Sequence, residues 1–138
     1  MSVVRFVDTN VLLYAVSTTR AETEKNRVAR SLLAEGRLAL SVQVLQEFYV
    51  QATRSTRSDR LQHDQAAGLI EAWLRFPTQE TTAQLVRAAL ATTDRYRLSY
   101  WDAAIVEAAR LLGCAVVLSE DLADGQDFGG VRIENPFA

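Results

Sequence analysis

Three acidic side chains stand where predicted strands end or predicted helices begin. Asp8 follows a short apolar run, Asp102 opens a helical stretch, and Asp121 follows a second apolar run. The carboxyl ends of strands in an α/β sheet can bring such groups to one cleft. Clustered carboxylates repel one another unless a cation neutralises them, and their oxygens suit Mg²⁺ or Mn²⁺. The pattern therefore indicates a divalent-cation site.

The same acids also have structural interpretations. Asp8 could cap the helix that follows it. The spacing Ser99-x-x-Asp102 fits a capping box, which the local pattern favours. Asp121 and Asp124 could be turn residues. Local sequence leaves both interpretations open for each acid.

Glu47 has the weakest support from pattern alone. It lies within a predicted helix, opposite the apolar face formed by Leu45, Phe48 and Tyr49. That position predicts a solvated side chain with no special role.

Several other chemistries lack the residues they need. His63 is the single histidine and Cys114 the single cysteine, so a two-histidine ribonuclease and an internal disulfide are excluded. A zinc site would lack its usual ligands. The chain has no phosphate-binding loop, no dinucleotide-binding glycine motif and no Gly-x-Ser-x-Gly elbow. Cys114 lies in an apolar run, which predicts a buried and unreactive thiol.

Composition is that of a globular cytoplasmic protein. The 138 residues predict one domain over 1–138, and 49% of them are apolar. No apolar run is long enough for a membrane helix, and the first residues do not have the form of a signal peptide. The net charge of −2 does not indicate a nucleic-acid-binding protein. All basic residues except Lys25 are arginine, which suits contacts to phosphate.

The pattern of apolar runs predicts alternating strands and helices. Strands are expected at 3–7, 38–41, 115–118 and 131–134, and helices at 11–16, 20–36, 42–53, 61–76, 81–96 and 100–112. This alternation predicts an α/β fold with a central, mainly parallel sheet of four to five strands sandwiched by helices. The last strand is expected at an edge of the sheet.

Four segments together resemble a known family. Phe6-Val7-Asp8-Thr9-Asn10-Val11-Leu12 resembles the opening signature of PIN-domain nucleases, and Val44-Leu45-Gln46-Glu47-Phe48-Tyr49 their second acidic motif. Leu98-Ser99-Tyr100-Trp101-Asp102-Ala103-Ala104-Ile105 and Leu118-Ser119-Glu120-Asp121-Leu122 resemble the third and fourth. The ending Gly130-Val131-Arg132-Ile133-Glu134-Asn135-Pro136-Phe137 is similar to that of many VapC-type toxins. The resemblance covers essentially the whole chain.

The resemblance implies an Mg²⁺-dependent endoribonuclease, with Mn²⁺ as a substitute, that cleaves RNA by a metal-activated water. The implied catalytic and metal-binding acids are Asp8, Glu47, Asp102 and Asp121. The implied supporting polar residues are Thr9, Asn10 and Ser119. Many relatives carry a further aspartate two residues after the fourth acid. Here Ala123 stands at that position, so Asp124, one step on, is kept as an additional candidate ligand.

The resemblance also implies the toxin of a type II toxin–antitoxin pair. Such a protein would be a homodimer inhibited by a cognate small antitoxin. If four acids hold metal, bases outnumber the remaining acids, which is compatible with RNA binding. Our candidates for contacts to the RNA backbone are Arg54, Arg57 and Arg60, and a solvated loop is the equally weighted alternative.

Three other readings compete with a nuclease. An inactive PIN-like module that binds RNA or protein would keep the fold without the chemistry. A phosphatase of the haloacid-dehalogenase type expects an aspartate where Asn10 stands, two residues after Asp8. A receiver domain expects a lysine near the site, whereas Lys25 lies in a polar, helix-like stretch. The four acids favour the nuclease.

Overall fold

The computed structural model describes residues 3–138. Its five strands are β1 (Arg5–Val7), β2 (Leu38–Ser41), β3 (Thr78–Gln79), β4 (Val116–Leu118) and β5 (Arg132–Glu134). Its six α-helices are α1 (Thr9–Val16), α2 (Thr23–Glu35), α3 (Val42–Ala52), α4 (His63–Trp73), α5 (Ala83–Tyr96) and α6 (Tyr100–Leu111). Within this range no helix is long and apolar enough to span a bilayer.

The strands form one sheet in the order β3-β2-β1-β4-β5, and every neighbouring pair is parallel. This confirms the predicted parallel sheet and the edge position of β5. Phe6 in β1 pairs with Ala39 in β2 and with Val117 in β4, so β1 is the central strand. The two-residue strand β3 was not predicted, because Thr78–Gln79 carries no apolar pattern.

Successive residues of β2 and β4 point to opposite faces of the sheet and are all buried, so both faces are covered and the strands are apolar without alternation. Phe6, Val7 and Leu40 have no exposed surface, and Phe48 of α3 is buried with them. The Phe48 ring packs edge-on against Trp73 of α4 at 4.7 Å between centroids. Cys114 is buried at 4% exposure, as its apolar surroundings predict.

Polar residues set the boundaries of the helices that bear on the site. Asp8 caps α1, because its Oδ1 accepts the Thr9 N–H at 2.7 Å. The Ser41 hydroxyl accepts the Val44 N–H at the start of α3. At the other end of α2, Gly36 adopts φ 74° and stops the helix, a conformation that glycine tolerates best.

A buried polar cluster joins α5, α6 and the loop before β5. Glu107 of α6 is 4% exposed and accepts hydrogen bonds from the Thr92 hydroxyl at 2.8 Å and from Arg110 Nε at 2.9 Å. The Arg110 guanidinium also donates to the carbonyl oxygens of Phe128 and Gly129. One ion pair therefore satisfies polar groups from three parts of the chain.

Candidate functional site

The site lies at the carboxyl ends of β1 and β4. The chain runs outward from β1 through β2 to β3 on one side, and through β4 to β5 on the other. The two directions diverge between β1 and β4, and such a switch point is where open α/β sheets form a crevice. Asp8 directly follows β1 and Ser119 directly follows β4, and the Asp8 N–H donates to the Leu118 carbonyl at 3.0 Å.

Asp8 is buried at 8% exposure and both of its carboxylate oxygens accept hydrogen bonds. Oδ1 accepts the Thr9 N–H that caps α1. Oδ2 accepts the Ser119 hydroxyl at 2.8 Å and the Asn10 side-chain amide at 3.4 Å. Asp8 therefore caps α1 and also belongs to the acidic site. The structural and the functional interpretation of this residue are compatible.

Asn10 and Ser119 fix the loop that carries Asp121. The Asn10 Nδ2 group donates to Asp121 Oδ2 at 3.2 Å and to Ser119 Oγ at 3.3 Å, and Asn10 Oδ1 accepts the Glu120 N–H at 3.2 Å. Ser119 Oγ accepts the backbone N–H groups of Asp121 and Leu122. These bonds hold the Asp121 carboxylate beside Asp8 without any charged partner.

Four of the sequence-predicted acids meet in one cleft of about 280 Å³, which we call the acidic cleft. Its lining is six acids, one arginine and a set of neutral side chains. The full lining is Asp8, Thr9, Asn10, Leu13, Tyr14, Glu22, Gln43, Glu47, Gln51, Arg57, Trp101, Asp102, Ile105, Glu120 and Asp121. Negative charge dominates this surface.

The Glu47 side chain lines the acidic cleft from α3, although the apolar pattern of that helix predicted only a solvated side chain. Gln43, one turn earlier, is buried at 8% exposure and donates its amide to Glu47 Oε1 at 2.8 Å. The same amide nitrogen lies 3.2 Å from the carbonyl oxygen of Trp101 in α6. Gln43 therefore aims Glu47 and ties α3 to the first turn of α6, which carries Asp102.

Asp102 lines the acidic cleft from the start of α6. The Ser99 hydroxyl caps this helix by accepting the Asp102 N–H at 3.1 Å, as the spacing predicted. The Ser99 N–H donates no hydrogen bond in return to the Asp102 carboxylate among the described residues, so the capping box is only half formed. The Asp102 carboxylate is left to face the cleft.

The pKa of Asp8 is raised from 3.8 to about 6, mainly by burial, with smaller upward contributions from the charges of Asp121 and Glu47 and downward ones from the Ser119 and Thr9 hydrogen bonds. The site therefore holds negative charge that the chain does not compensate. The Thr9 hydroxyl, buried in the cleft wall, finds no hydrogen-bond partner among residues 3–138. Both features are those of a surface that receives a cation or a polar ligand.

The donor chemistry fits a divalent cation that keeps part of its water shell. As the side chains stand, no three acid, histidine or cysteine side chains of the described residues are close enough to share one ion. Mg²⁺ usually retains several waters and takes only one or two protein carboxylates. Asp8 with one neighbouring acid satisfies that requirement, whereas a closed all-protein cage does not form here.

Glu120 also lines the cleft, and a lysine already balances its negative charge. Its carboxylate accepts Lys25 Nζ at 2.5 Å and the Tyr14 hydroxyl. Burial raises the pKa of Glu120, but these two hydrogen bonds outweigh it and hold the pKa below its ordinary value. Glu120 therefore stays ionised, and its charge is balanced by Lys25 beside the Tyr14 ring.

The remaining predicted residues do not share one location. Arg57 lines the acidic cleft and is held there by Asp59, at 3.0 Å from Nε to Oδ1. Arg54 lines an adjacent groove, and Arg60 is exposed and lines neither. The structure does not bring Asp124 into the cleft, because its carboxylate accepts the Asn135 N–H at 2.9 Å.

Sequence reasoning missed Gln43, Glu22, Tyr14, Glu120 and Trp101, which all line the acidic cleft. The position of Gln43, four residues before Glu47 on one helix, was a usable signal for a pair of hydrogen-bonded side chains. The pairing of Glu120 with Lys25 joins residues 95 positions apart. No local pattern could have indicated it.

Comparison with known proteins identifies the fold. The family model described as PIN domain matches residues 5–123. No curated protein matches the chain by sequence.

Solved structures of toxin–antitoxin proteins are similar to the chain. A toxin–antitoxin complex from Klebsiella pneumoniae is 21% identical, with 96% of this chain and 97% of that chain covered and a TM-score of 0.67. The sarcin–ricin loop cleaving toxin VapC20 of Mycobacterium tuberculosis is 22% identical, with coverages of 84% and 88% and a TM-score of 0.65. DNA-bound VapBC from Salmonella typhimurium is 19% identical, with coverages of 98% and 99% and a TM-score of 0.64. At these identities the likeness establishes the fold.

Proposed function

Since the chain belongs to the PIN domain family, we propose that it is a metal-dependent endoribonuclease and the toxin of a toxin–antitoxin pair. The observation that supports this most is the convergence of Asp8, Glu47, Asp102 and Asp121 on one cleft. These acids come from three helix starts or loops and one helix interior, so the fold as a whole assembles them. A structural role for each acid alone does not explain their common location.

We propose that Asp8, with Glu47, Asp102 and Asp121 around it, holds Mg²⁺, with Mn²⁺ as a substitute. When bound, the ion would supply Lewis-acid stabilisation of the phosphate charge and lower the pKa of a water molecule. Ser119 and the Thr9 N–H hold the Asp8 carboxylate in one orientation. Arg57 is the basic side chain lining the cleft, and it offers a positive charge to a phosphate of the RNA.

Cleavage is expected to leave 5′-phosphate and 3′-hydroxyl ends. His63, the single histidine, is not among the residues that line the acidic cleft, so no imidazole there could deprotonate a ribose 2′-hydroxyl. The test is to incubate structured RNAs with the purified chain in Mg²⁺ and to analyse the ends by enzymatic ligation and mass spectrometry. Activity in EDTA, or 2′,3′-cyclic phosphate products, would contradict the proposal. A catalytically inactive binding module would give RNA retention without cleavage across Mg²⁺, Mn²⁺ and other divalent ions.

Replacing Gln43 by leucine is expected to raise the Mg²⁺ concentration needed for half-maximal cleavage about 10-fold. The change removes the amide that aims Glu47 and leaves the Trp101 carbonyl without that donor. The measurement is a Mg²⁺ titration of the initial cleavage rate, in which excess Mg²⁺ restores most of the rate. Gln84→Leu is the matched control, because Gln84 is exposed on α5. An unchanged midpoint in Gln43→Leu would show that Glu47 does not need this support.

We further propose a small antitoxin as the partner and a homodimer as the assembly. Two of the similar structures are described as complexes of toxin with antitoxin or with DNA. An antitoxin that inserts a basic side chain into the acidic cleft would compete with metal and RNA, because the cleft surface is dominated by carboxylates. Light scattering measures the molar mass of the purified chain in solution and so tests the homodimer. A neighbouring reading frame whose product co-purifies and blocks cleavage would identify the antitoxin.

A further inference from the structure

Trp101 is an exposed aromatic side chain at the edge of the acidic cleft. Its exposed fraction of 65% is the largest of any large apolar side chain in residues 3–138. It directly precedes Asp102 in the first turn of α6. Exposing an indole costs free energy because its apolar surface stays in water. Its position beside the site calls for a functional explanation.

Trp101 is contacted through its backbone and through its ring despite its exposure. The backbone carbonyl of Trp101 accepts the buried Gln43 amide at 3.2 Å. The ring packs edge-on against Tyr100, with centroids 5.1 Å apart and an interplanar angle of 83°. One face of a restrained, wet indole is a surface on which a flat ring can stack with little further ordering cost.

Trp101 also forms one side of a second depression beside the acidic cleft, which we call the glutamine groove. This groove has a volume of about 440 Å³ and is lined by Gln43, Gln46, Glu47, Val50, Gln51, Arg54 and Trp101. Four of these residues also line the acidic cleft, so the two depressions are continuous. The groove thus runs on from the candidate catalytic acids along α3.

The lining of the glutamine groove matches a nucleotide better than a protein side chain. An apolar protein anchor would need an aliphatic pocket, whereas here Val50 is the one aliphatic member. The exposed Gln46 amide and the half-buried Gln51 amide can each donate to and accept from the edge of a base, whereas the Gln43 amide is already bonded to Glu47 and Trp101. Arg54 supplies the positive charge that the next phosphate requires. An indole face is the usual platform for an unpaired base.

We propose that Trp101 stacks on the base next to the scissile phosphate, in the glutamine groove. This inference rests on the proposed function and adds to it a positioning residue and a substrate requirement. A base can stack on Trp101 only if it has left its own helix, so the nucleotide beside the cut must be unpaired or splayed out. The Gln46 and Gln51 amides then bind its edge, and Arg54 contacts the backbone beyond it.

The first test is direct RNA binding in EDTA, where cleavage is absent. Fluorescein-labelled RNA with an unpaired segment is titrated with the chain, and its anisotropy gives Kd. Trp101→Leu is expected to weaken binding about 10-fold or more, because it removes the stacking face and keeps an apolar side chain. Trp101→Phe is expected to stay within about 3-fold, because it keeps an aromatic face. Leu90→Ala, at an exposed position on α5, is the control that should leave Kd unchanged.

A second test uses Trp101 as its own reporter. Trp73 is the other tryptophan and is buried at 7% exposure, so Trp73→Phe leaves Trp101 as the sole indole. RNA is expected to quench the emission of this variant and to shield it from acrylamide. Circular dichroism checks that the substitution at Trp73 preserves the fold. Emission that does not respond at RNA concentrations giving saturated anisotropy would overturn the proposal.

An abasic substitution locates the stacked base. Removing the base beside the cut should cost the unmodified chain the same factor in Kd that Trp101→Leu costs, and the two changes together should cost no more than either alone. If the two changes together weakened Kd by the product of their separate factors, the stacking contact would be overturned. Loss of self-association in Trp101→Leu with unchanged RNA binding would overturn it too, in favour of an interface between copies.

The outcomes also separate this inference from the proposed function. If the unmodified chain cleaves RNA and Trp101→Leu binds and cleaves as well as it does, the nuclease stands and the stacking role is wrong. If the chain binds unpaired RNA through Trp101 but cleaves nothing in any divalent ion, base stacking on Trp101 stands and the nuclease is wrong. If the chain neither binds nor cleaves unpaired RNA, with Mg²⁺ present or absent, both are wrong.

Discussion

Asp8→Asn is expected to abolish RNA cleavage while making the metal-free protein more stable at neutral pH. The substitution removes the central carboxylate of the acidic cleft, and we expect a loss of at least about 1000-fold in rate. It also removes a buried charge that the fold does not compensate. Asparagine can still accept the Thr9 N–H that caps α1, so the start of the helix should persist.

The pH dependence of this gain follows from the pKa of Asp8. Its ordinary value is 3.8, and burial raises it to about 6 in the folded chain. Between these two values the folded chain keeps a proton that the unfolded chain has released, so stability falls as the pH rises through this window. The penalty is complete above pH 6 and corresponds to about 3 kcal/mol. Asparagine avoids it but weakens two hydrogen bonds, so a net gain of about 1–2 kcal/mol is expected at pH 8.

Urea unfolding in EDTA at pH 4 and pH 8 measures this difference. The free energy of unfolding of Asp8→Asn should exceed that of the unmodified chain at pH 8. At pH 4 the two free energies should no longer differ in favour of the variant. Added Mg²⁺ should stabilise the unmodified chain and not the variant, because only the former keeps the carboxylate. Asp94→Asn, at an exposed position on α5, is the control. Cleavage by Asp8→Asn, or equal stabilities at both pH values, would contradict the role given to Asp8.

Glu107→Ala is expected to destabilise the fold by about 3 kcal/mol. The substitution leaves the Thr92 hydroxyl and the Arg110 guanidinium without their shared acceptor. The side chain of Arg110 is 38% exposed, so water can solvate part of its unpaired charge in the variant. The expected loss of stability therefore lies at the low end of the range for breaking a buried ion pair. Urea unfolding at pH 7 measures the loss.

Glu24→Ala is the matched control for Glu107→Ala. Glu24 also pairs with an arginine three residues later, Arg27, but both side chains are largely exposed. Water replaces an exposed partner, so this variant should unfold at nearly the same urea concentration as the unmodified chain. Cleavage by folded Glu107→Ala should be unchanged, because Glu107 does not line the acidic cleft. Equal losses in the two variants would mean that burial does not set the cost.

The sequence was most informative where one residue type has one strong local consequence. Short apolar segments predicted β1, β2, β4 and β5 to within two residues at each end, and Gly36 marked the end of α2. The strand β3 escaped notice because edge pairing with β2, not side-chain pattern, defines it. A two-residue edge strand has no periodicity to detect.

Side chains of the site were harder to foresee than the elements that bear them. Periodicity places Glu47 opposite the apolar face of its own helix. It does not indicate which residues of other elements lie next to that polar face. The amide of Gln43 and the first turn of α6 supply that neighbour. Asp124 shows the reverse case. It is three residues from Asp121, yet the loop turns its carboxylate toward the Asn135 N–H.

Arg54, Arg57 and Arg60 were grouped because they lie close together in the sequence. Closeness in the sequence does not indicate where each side chain lies. The backbone there forms successive turns, with Arg57 N–H bonded to the Arg54 carbonyl and Arg60 N–H to the Arg57 carbonyl. Each arginine therefore has a different environment, and Arg57 alone of the three lines the acidic cleft.

The central position of β1 has a consequence for synthesis on the ribosome. Asp8 precedes Ser119 by 111 positions, but its strand pairs with β4 and its carboxylate is held by Ser119. A nascent chain therefore cannot assemble the acidic cleft until the segment from β4 to Asp121 has emerged from the exit tunnel. Chains that terminate before β4 cannot form the cleft. The fold thus delays the chemistry of the cleft until this later segment has been translated.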